Sequence, residues 1–176
     1  MSTAFQILLT CCVMTGMSAD APKFPMVKGR YQMTDNWSIE LKDEYKKRFE
    51  DGSLVLWRPG ITSWIVVYNA KPGKTREDAL KWRKQESDKK KVQEFETSDA
   101  KYLRYAYLVF EKTEHDERWA LYSFTFGKDS GHVMMATYFD DKKDLEKAKQ
   151  LWMSLQRSDG PGGEQGGPTN TAPPHR

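Results

Sequence analysis

Cysteine is nearly absent from this chain of 176 residues. Its two cysteines, Cys11 and Cys12, are adjacent and lie in an apolar stretch near the N-terminus. Neighbouring cysteines rarely form a disulfide with each other, and the remaining sequence contains no further partner. The folded part of the chain therefore has no disulfide framework, no thiolate metal site and no cysteine nucleophile.

Long apolar runs are also missing. The apolar stretch at 7–17 is too short for a transmembrane helix, which needs about 20 residues, so we expect no integral membrane segment. Its length fits a signal peptide cleaved after Ala19, but residues 1–6 contain no Lys or Arg. A disordered extension is the alternative. The pattern slightly favours a periplasmic or secreted product over a cytoplasmic one.

A large excess of one charge sign is missing as well. The chain has 28 Lys and Arg and 25 Asp and Glu, which gives a net charge of +3. Dedicated nucleic-acid binders show a stronger and more clustered basic excess. The most basic stretch, 81–91, is interleaved with Glu86 and Asp88, which is typical of a solvated helix face. We expect no nucleic-acid partner.

Residues that carry catalysis are few and dispersed. His115 and His132 lie in turns at opposite ends of one predicted strand, so they cannot converge on a metal ion. Residues 129–132 (Asp-Ser-Gly-His) contain the residue types of a hydrolytic triad, but no nucleophile-elbow pattern surrounds them. No glycine-rich phosphate loop follows a strand. We therefore predict no catalytic residue, no metal site and no cofactor.

Aromatic residues, in contrast, are abundant, with 6 Trp, 8 Tyr and 8 Phe. Most of them lie in short segments of alternating or continuous apolar character, which is the pattern of β-strands. The predicted strands are 29–34, 37–41, the two apolar blocks within 53–68, 102–110, 118–126 and 132–139, with weaker patterns at 45–50 and 92–96.

The segment 53–68 carries two apolar blocks around Arg58-Pro59-Gly60 and predicts a hairpin at the centre of the sheet. Pro-Gly favours a type II turn, whose twist matches a hairpin poorly, so we expect a longer loop over 58–63. Trp57 and Trp64 would then lie near each other at the strand ends. This tip, with Arg58, is our first candidate binding surface.

A second candidate surface lies on the predicted strand 102–110, where Tyr105 and Tyr107 share one face of the sheet. Both faces of such a sheet need cover, and the sequence predicts only two helices. Under one interpretation the helices and the N-terminal strands cover everything. Under the other, an aromatic groove remains open for a ligand or a peptide.

The two helices have different patterns. Thr75 is a plausible N-cap for a helix reaching about residue 88, but its apolar stripe is thin. Asp140 can cap a second helix over 141–156, whose apolar residues recur with the helical period. We expect an α+β fold: an antiparallel sheet of about six to eight strands flanked by two main helices. The domain spans 28–156, between a signal-like or disordered segment and linker at 1–27 and a disordered tail at 157–176.

The element order and the amino-acid sequences of segments 37–41, 52–60 and 131–141 resemble those of the PsbP/DcrB-like α/β/α sandwich of bacterial proteins. The resemblance covers about 28–156. It implies a non-enzymatic role, because members generally lack enzymatic activity. Some are extracytoplasmic, some assist other proteins, and some bacterial members are adaptors or chaperones for type VI secretion effectors. It implies no binding residue, since no binding motif matches.

Together these observations predict a non-enzymatic domain that binds a partner or a ligand, as an adaptor or chaperone for another bacterial protein. We expect a protein or peptide partner and a monomeric state. The binding residues predicted are Trp57, Arg58, Trp64, Tyr105 and Tyr107. Two alternatives stay open: a small enzyme that uses a carboxylate or histidine between turns, and an immunity protein that neutralises a toxin encoded next door.

Overall fold

The computed structural model describes residues 24–87, 89–114 and 116–158. The predicted signal-like segment, residues 20–23 of the linker, His115 and the tail beyond residue 158 lie outside the described residues. Neither α-helix in the described part is long and apolar enough to span a membrane. The strands are β1 (Met26–Gln32), β2 (Trp37–Glu50), β3 (Ser53–Arg58), β4 (Ile61–Tyr68), β5 (Gln93–Ser98), β6 (Leu103–Lys112), β7 (Glu117–Phe126), β8 (His132–Phe139) and β9 (Leu155–Arg157). The helices are α1 (Arg76–Glu86) and α2 (Leu145–Met153), which follows a 3-10 turn at Lys142–Asp144.

All strands belong to one antiparallel sheet, in the order β1-β2-β3-β4-β8-β7-β6-β5, and β9 pairs with β2. The predicted antiparallel sheet flanked by two helices is therefore confirmed. The sheet has nine strands instead of six to eight, and strands hold more than half of the described residues. The fold is thus more β-rich than a balanced sandwich.

The sheet has two faces, and each packs against one helix. The face under α2 holds the larger core, in which the buried Leu151 and Trp152 of the helix pack against strand residues. The indole Nε1–H of Trp152 donates to Thr125 Oγ1 at 3.0 Å, so this large ring is both buried and hydrogen-bonded. The other face, under α1, holds the second cluster, around Leu80, Tyr105 and Phe124. We call these the α2 face and the α1 face.

The central hairpin forms as predicted, because β3 and β4 are the third and fourth strands of the eight-strand order. The prediction of a longer loop over 58–63 is wrong, because only Pro59 and Gly60 separate the paired residues Arg58 and Ile61. Gly60 has φ of 77°, the left-handed value that a type II Pro-Gly turn requires at its third position. Pairing with β2 and β8 on either side fixes the strand register up to the turn, which outweighs the poor twist match.

The C-terminal helix is shorter than predicted. Asp141, and not Asp140, caps the 3-10 turn, and α2 ends at Met153. Residue 155 completes the helical apolar period, but the fully buried Leu155 belongs to β9, which pairs with Trp37–Ile39 of β2. The Arg157 side chain holds β9 in place through a bidentate ion pair with Asp129, at 2.7 and 2.8 Å.

We predict that replacing Gly60 by Ala destabilises the domain by about 1 kcal/mol, because an alanine Cβ is strained at positive φ. Gly60→Asn is the matched control, since asparagine tolerates the left-handed conformation better. Urea unfolding gives the free energies. Equal stability of the Ala variant and the wild type would contradict the tight turn.

We also predict that Arg157→Gln lowers the free energy of unfolding by about 1 kcal/mol, because the pair with Asp129 is bidentate but partly exposed. Hydrogen exchange should accelerate at the amides of β9 before the central strands. The control is Arg30→Gln on the exposed side of β1, which should change neither quantity. Unchanged exchange in β9 would show that the ion pair does not anchor this strand.

Candidate functional site

Helix α1 starts where the sequence predicts. Thr75 and Asp78 form a reciprocal capping box: Thr75 Oγ1 accepts from the Asp78 amide at 3.1 Å, and the Asp78 carboxylate accepts from the Thr75 amide at 3.1 Å. Only Leu80 of the helix is buried, and Trp82 remains 50% exposed. A helix with so little apolar surface cannot seal the sheet beneath it, and an opening remains beside it.

This opening is a cleft of about 340 Å³ between α1 and the adjoining ends of β4 and β8. Its buried or half-buried lining residues are Ala79, Arg83, Ser130 and His132. Its exposed lining residues are Tyr68, Asn69, Lys71, Lys74, Asp78 and Trp82. The cleft therefore combines aromatic walls with basic side chains.

The centre of the cleft is a contact between Arg83 of α1 and His132 of β8. The guanidinium Nε–H and an Nη2–H point at His132 Nε2, at 3.3 and 3.1 Å. Arginine can only donate, so Nε2 must be the accepting nitrogen and Nδ1 must carry the ring proton. Nδ1–H donates in turn to the carbonyl oxygen of Ser130 at 3.0 Å. Burial lowers the pKa of His132 to about 4, which keeps the ring neutral at pH 7.

The turn that supports His132 is itself held by hydrogen bonds. The Ser130 hydroxyl accepts from the Lys71 amide at 2.8 Å and donates to the Lys71 carbonyl at 3.2 Å. Asp129 accepts from the Gly131 amide and pairs with Arg157. His132 meets the carbonyl and not the hydroxyl of Ser130, so these triad-type residues face different partners. Among the residues described, no group of three or more His, Cys, Asp or Glu is placed to hold a metal ion.

Arg83 of α1 is surrounded by aromatic rings. Its guanidinium carbon lies 4.8, 4.5 and 5.2 Å from the ring centroids of Tyr68, Trp82 and Phe124. Tyr68 also stacks on His132, with 4.8 Å between centroids. Within the described chain, no carboxylate forms an ion pair with Arg83. A half-buried cation therefore faces the cleft with unused N–H groups.

The remaining charges make the cleft electropositive. Lys71 and Lys74 also line it, and neither forms an ion pair with a described residue. Asp78 is the one carboxylate in the lining. Its hydrogen bonds with Thr75 lower its pKa and engage the carboxylate in the helix cap. The lining thus holds three cations, Arg83, Lys71 and Lys74, and one carboxylate that is engaged in the helix cap. This excess of positive charge favours the entry of an anion.

The structure separates the residues predicted at the hairpin tip. Trp57 and Trp64 are half-buried on the α1 face, on adjacent strands, opposite Thr62 and Val55. Arg58 points to the other face, where it stacks on Tyr45 at 5.4 Å and pairs with Asp43 at 2.7 Å. The two tryptophans thus share a surface, and Arg58 does not belong to it.

Tyr105 and Tyr107 are buried on the α1 face, with 1% and 8% of their surface exposed. Burial and a hydrogen bond to Glu94 raise the pKa of Tyr105 to about 12. Tyr107 stacks on Tyr122 with 5.3 Å between centroids. These two tyrosines therefore belong to the core and do not form an open groove.

The cleft residues were not predicted as a binding site. The sequence places Arg83 in a stretch typical of a solvated basic helix face, and His132 in a polar turn. One signal was present: Arg83 follows the apolar Leu80 by three positions, so both lie on the same side of a helix. The long-range contact between α1 and β8 has no local signature in the sequence.

Comparisons with known proteins show the fold. No protein-family model matches the sequence, and no curated protein does. A crystal structure from Bacteroides thetaiotaomicron VPI-5482 is similar, with a TM-score of 0.58 and 12% identity over 76% of this chain and 50% of that one. This chain thus spans half of the length of that protein. The solution structure of cyanobacterial PsbP (CyanoP) from Synechocystis sp. PCC 6803 is also similar, with a TM-score of 0.50 and 10% identity over 80% of this chain and 96% of that one.

At such low identity the likeness concerns the fold and not the activity. Both structures come from bacteria, and the second carries the name of the fold that the sequence resembles. The expectation from the resemblance is therefore confirmed: this chain has a PsbP-like fold.

Proposed function

We propose that this chain is a non-enzymatic binding domain, and that it binds an anionic group of its ligand or partner in the cleft beside α1. The observation that carries the proposal is Arg83, a half-buried cation that lines the cleft without a carboxylate partner among the described residues. Partial burial of an unpaired charge is unfavourable, and an incoming anion relieves that cost. Hydrogen bonds between a guanidinium and an anion are among the stronger ones in proteins.

The surroundings of Arg83 support the same conclusion. His132 and the aromatic rings hold the guanidinium in place before a ligand arrives, which reduces the entropy lost on binding. Lys71 and Lys74 attract anions towards the cleft. The exposed rings of Tyr68 and Trp82 offer apolar contact to the rest of the ligand.

A binding role accounts for the cleft better than hydrolysis. Both ring nitrogens of His132 are engaged, one with Arg83 and the other with the Ser130 carbonyl. A general base needs a free nitrogen within reach of the proton it removes. An adaptor or chaperone role for another bacterial protein fits the same cleft if the partner presents an anionic group there.

We predict saturable binding of small aromatic anions to the purified protein, measured by calorimetry with phenylacetate, phenylphosphonate and benzenesulfonate as probes. Arg83→Gln should weaken the binding of the preferred anion about tenfold or more, because a charged hydrogen-bond donor is lost. Lys81→Gln, one charge removed from the other side of α1, is the control and should bind almost as the wild type. Failure of all three anions to bind, or equal affinity of the Arg83 variant, would contradict the proposal.

The buried histidine predicts a pH dependence of stability. The pKa of His132 falls from 6.5 in the unfolded chain to about 4 in the folded one, so the unfolded state binds more protons between these values. The contribution of the neutral His132 to the free energy of unfolding is therefore fully present above pH 6.5. It decreases by up to about 3 kcal/mol as the pH falls towards 4. Urea unfolding at pH 7.5 and 4.5 should show a smaller difference for His132→Gln than for the wild type. Identical pH slopes for both proteins would refute the neutral, buried histidine.

A further inference from the structure

Building on the proposed function, we infer that the ligand of the cleft is a carboxylate attached to a flat apolar or aromatic body, and that Arg83 binds this carboxylate end-on. The inference depends on which guanidinium N–H groups remain unused, on which backbone amides are already occupied, and on the two rings that flank the entrance.

The geometry leaves one edge of the Arg83 guanidinium free. A guanidinium has five N–H groups, one on Nε and two on each Nη. The side-on edge, formed by Nε and Nη2, faces His132 Nε2. The end-on edge, formed by Nη1 and the second N–H of Nη2, has no hydrogen-bond partner in the described part of the chain. Arg83 lines the cleft, and this edge is the one whose N–H groups are still available to a ligand.

The free edge matches a carboxylate. Two parallel N–H groups in one plane pair with the two oxygens of a carboxylate in a bidentate arrangement. Tyr68, Trp82 and Phe124 lie close around the guanidinium carbon and occupy much of the space in which a ligand could stack on it. The ligand is therefore directed to the edge, where a planar acceptor fits best.

A phosphate is less suited to this cleft, because protein phosphate sites usually combine several free backbone N–H groups. Here the nearby amides are engaged: that of Lys71 with the Ser130 hydroxyl, and that of Gly131 with Asp129. The first turn of α1 is closed by the capping box, whose Asp78 carboxylate repels a second negative charge at the helix N-terminus. A singly charged carboxylate needs fewer donors and meets less repulsion.

The body of the ligand is inferred from the cleft walls. Tyr68 and Trp82 both line the cleft and are 37% and 50% exposed, which is high for aromatic rings next to a core. Both lie within 5 Å of Arg83 and so stand next to the position of the bound carboxylate. A flat ring or an apolar side chain joined to the carboxylate would cover them. Two sources share this chemistry: a free aromatic acid, and the C-terminal carboxylate of a polypeptide that ends in an apolar residue.

The test compares affinities of the full chain for phenylacetate and phenylphosphonate, measured by calorimetry at pH 7.5. We expect phenylacetate to bind at least fivefold more tightly. Arg83→Lys keeps the charge but loses the planar fork, and should weaken phenylacetate about tenfold. Trp82→Ala removes an exposed ring, so the fold should persist while phenylacetate binds severalfold more weakly. Lys81→Gln is the control for both variants and should leave the affinity unchanged.

A second arm identifies the source of the carboxylate with a peptide ending in Phe, in its free and its C-terminally amidated form. Tighter binding of the free form supports a polypeptide terminus, and binding of phenylacetate alone supports a small acid. Equal or tighter binding of phenylphosphonate, still dependent on Arg83, would overturn the inference and leave the proposed function standing. Absence of binding by every anion would overturn both.

Discussion

The constraint on which this structure depends is that one antiparallel sheet presents two apolar faces, while the described part of the chain supplies only two short helices to cover them. Helix α2 covers its face of the sheet with the buried side chains of Ala148, Leu151 and Trp152. Helix α1 buries only Leu80. The remaining cover on the α1 face comes from polar and aromatic side chains, and their imperfect fit leaves the cleft. The candidate site is thus a direct consequence of a thin apolar stripe on one helix.

Arg83 joins that helix to the sheet, which couples the site to the fold. Its guanidinium lies against three aromatic rings and donates to His132, whose ring is fixed by the carbonyl of Ser130. The same turn holds Asp129, the partner of Arg157 on β9. Packing and hydrogen bonding therefore position the guanidinium before any ligand binds. A fixed donor of this kind loses little freedom when it meets an anion, which is the physical basis of the proposed binding role.

The sequence predicted the parts of the fold whose signals are local. The apolar blocks around Pro59-Gly60 identified the central hairpin, and Thr75 identified the start of α1. The sequence does not predict those parts of the structure in which long-range packing determines the local conformation. Leu155 continues a helical period but pairs with β2 as a strand, because burial in the core outweighs local periodicity. The cleft has no sequence signal for the same reason: Arg83 and His132 are 49 residues apart, and the pattern of each segment is typical of solvated residues. Of the abundant aromatic side chains, eight, including Tyr105 and Tyr107, are buried in the core.

The proposed binding site depends on a neutral His132 that accepts hydrogen bonds from Arg83, and a nitrogen-15 NMR spectrum of the histidine ring measures this protonation state directly. At pH 6 we expect the Nδ1–H tautomer of His132, with an unprotonated Nε2 coupled to the Arg83 side-chain protons. An Nε2–H tautomer or a protonated ring at that pH would contradict it, because Arg83 would then have no acceptor on His132 and no fixed edge towards the cleft.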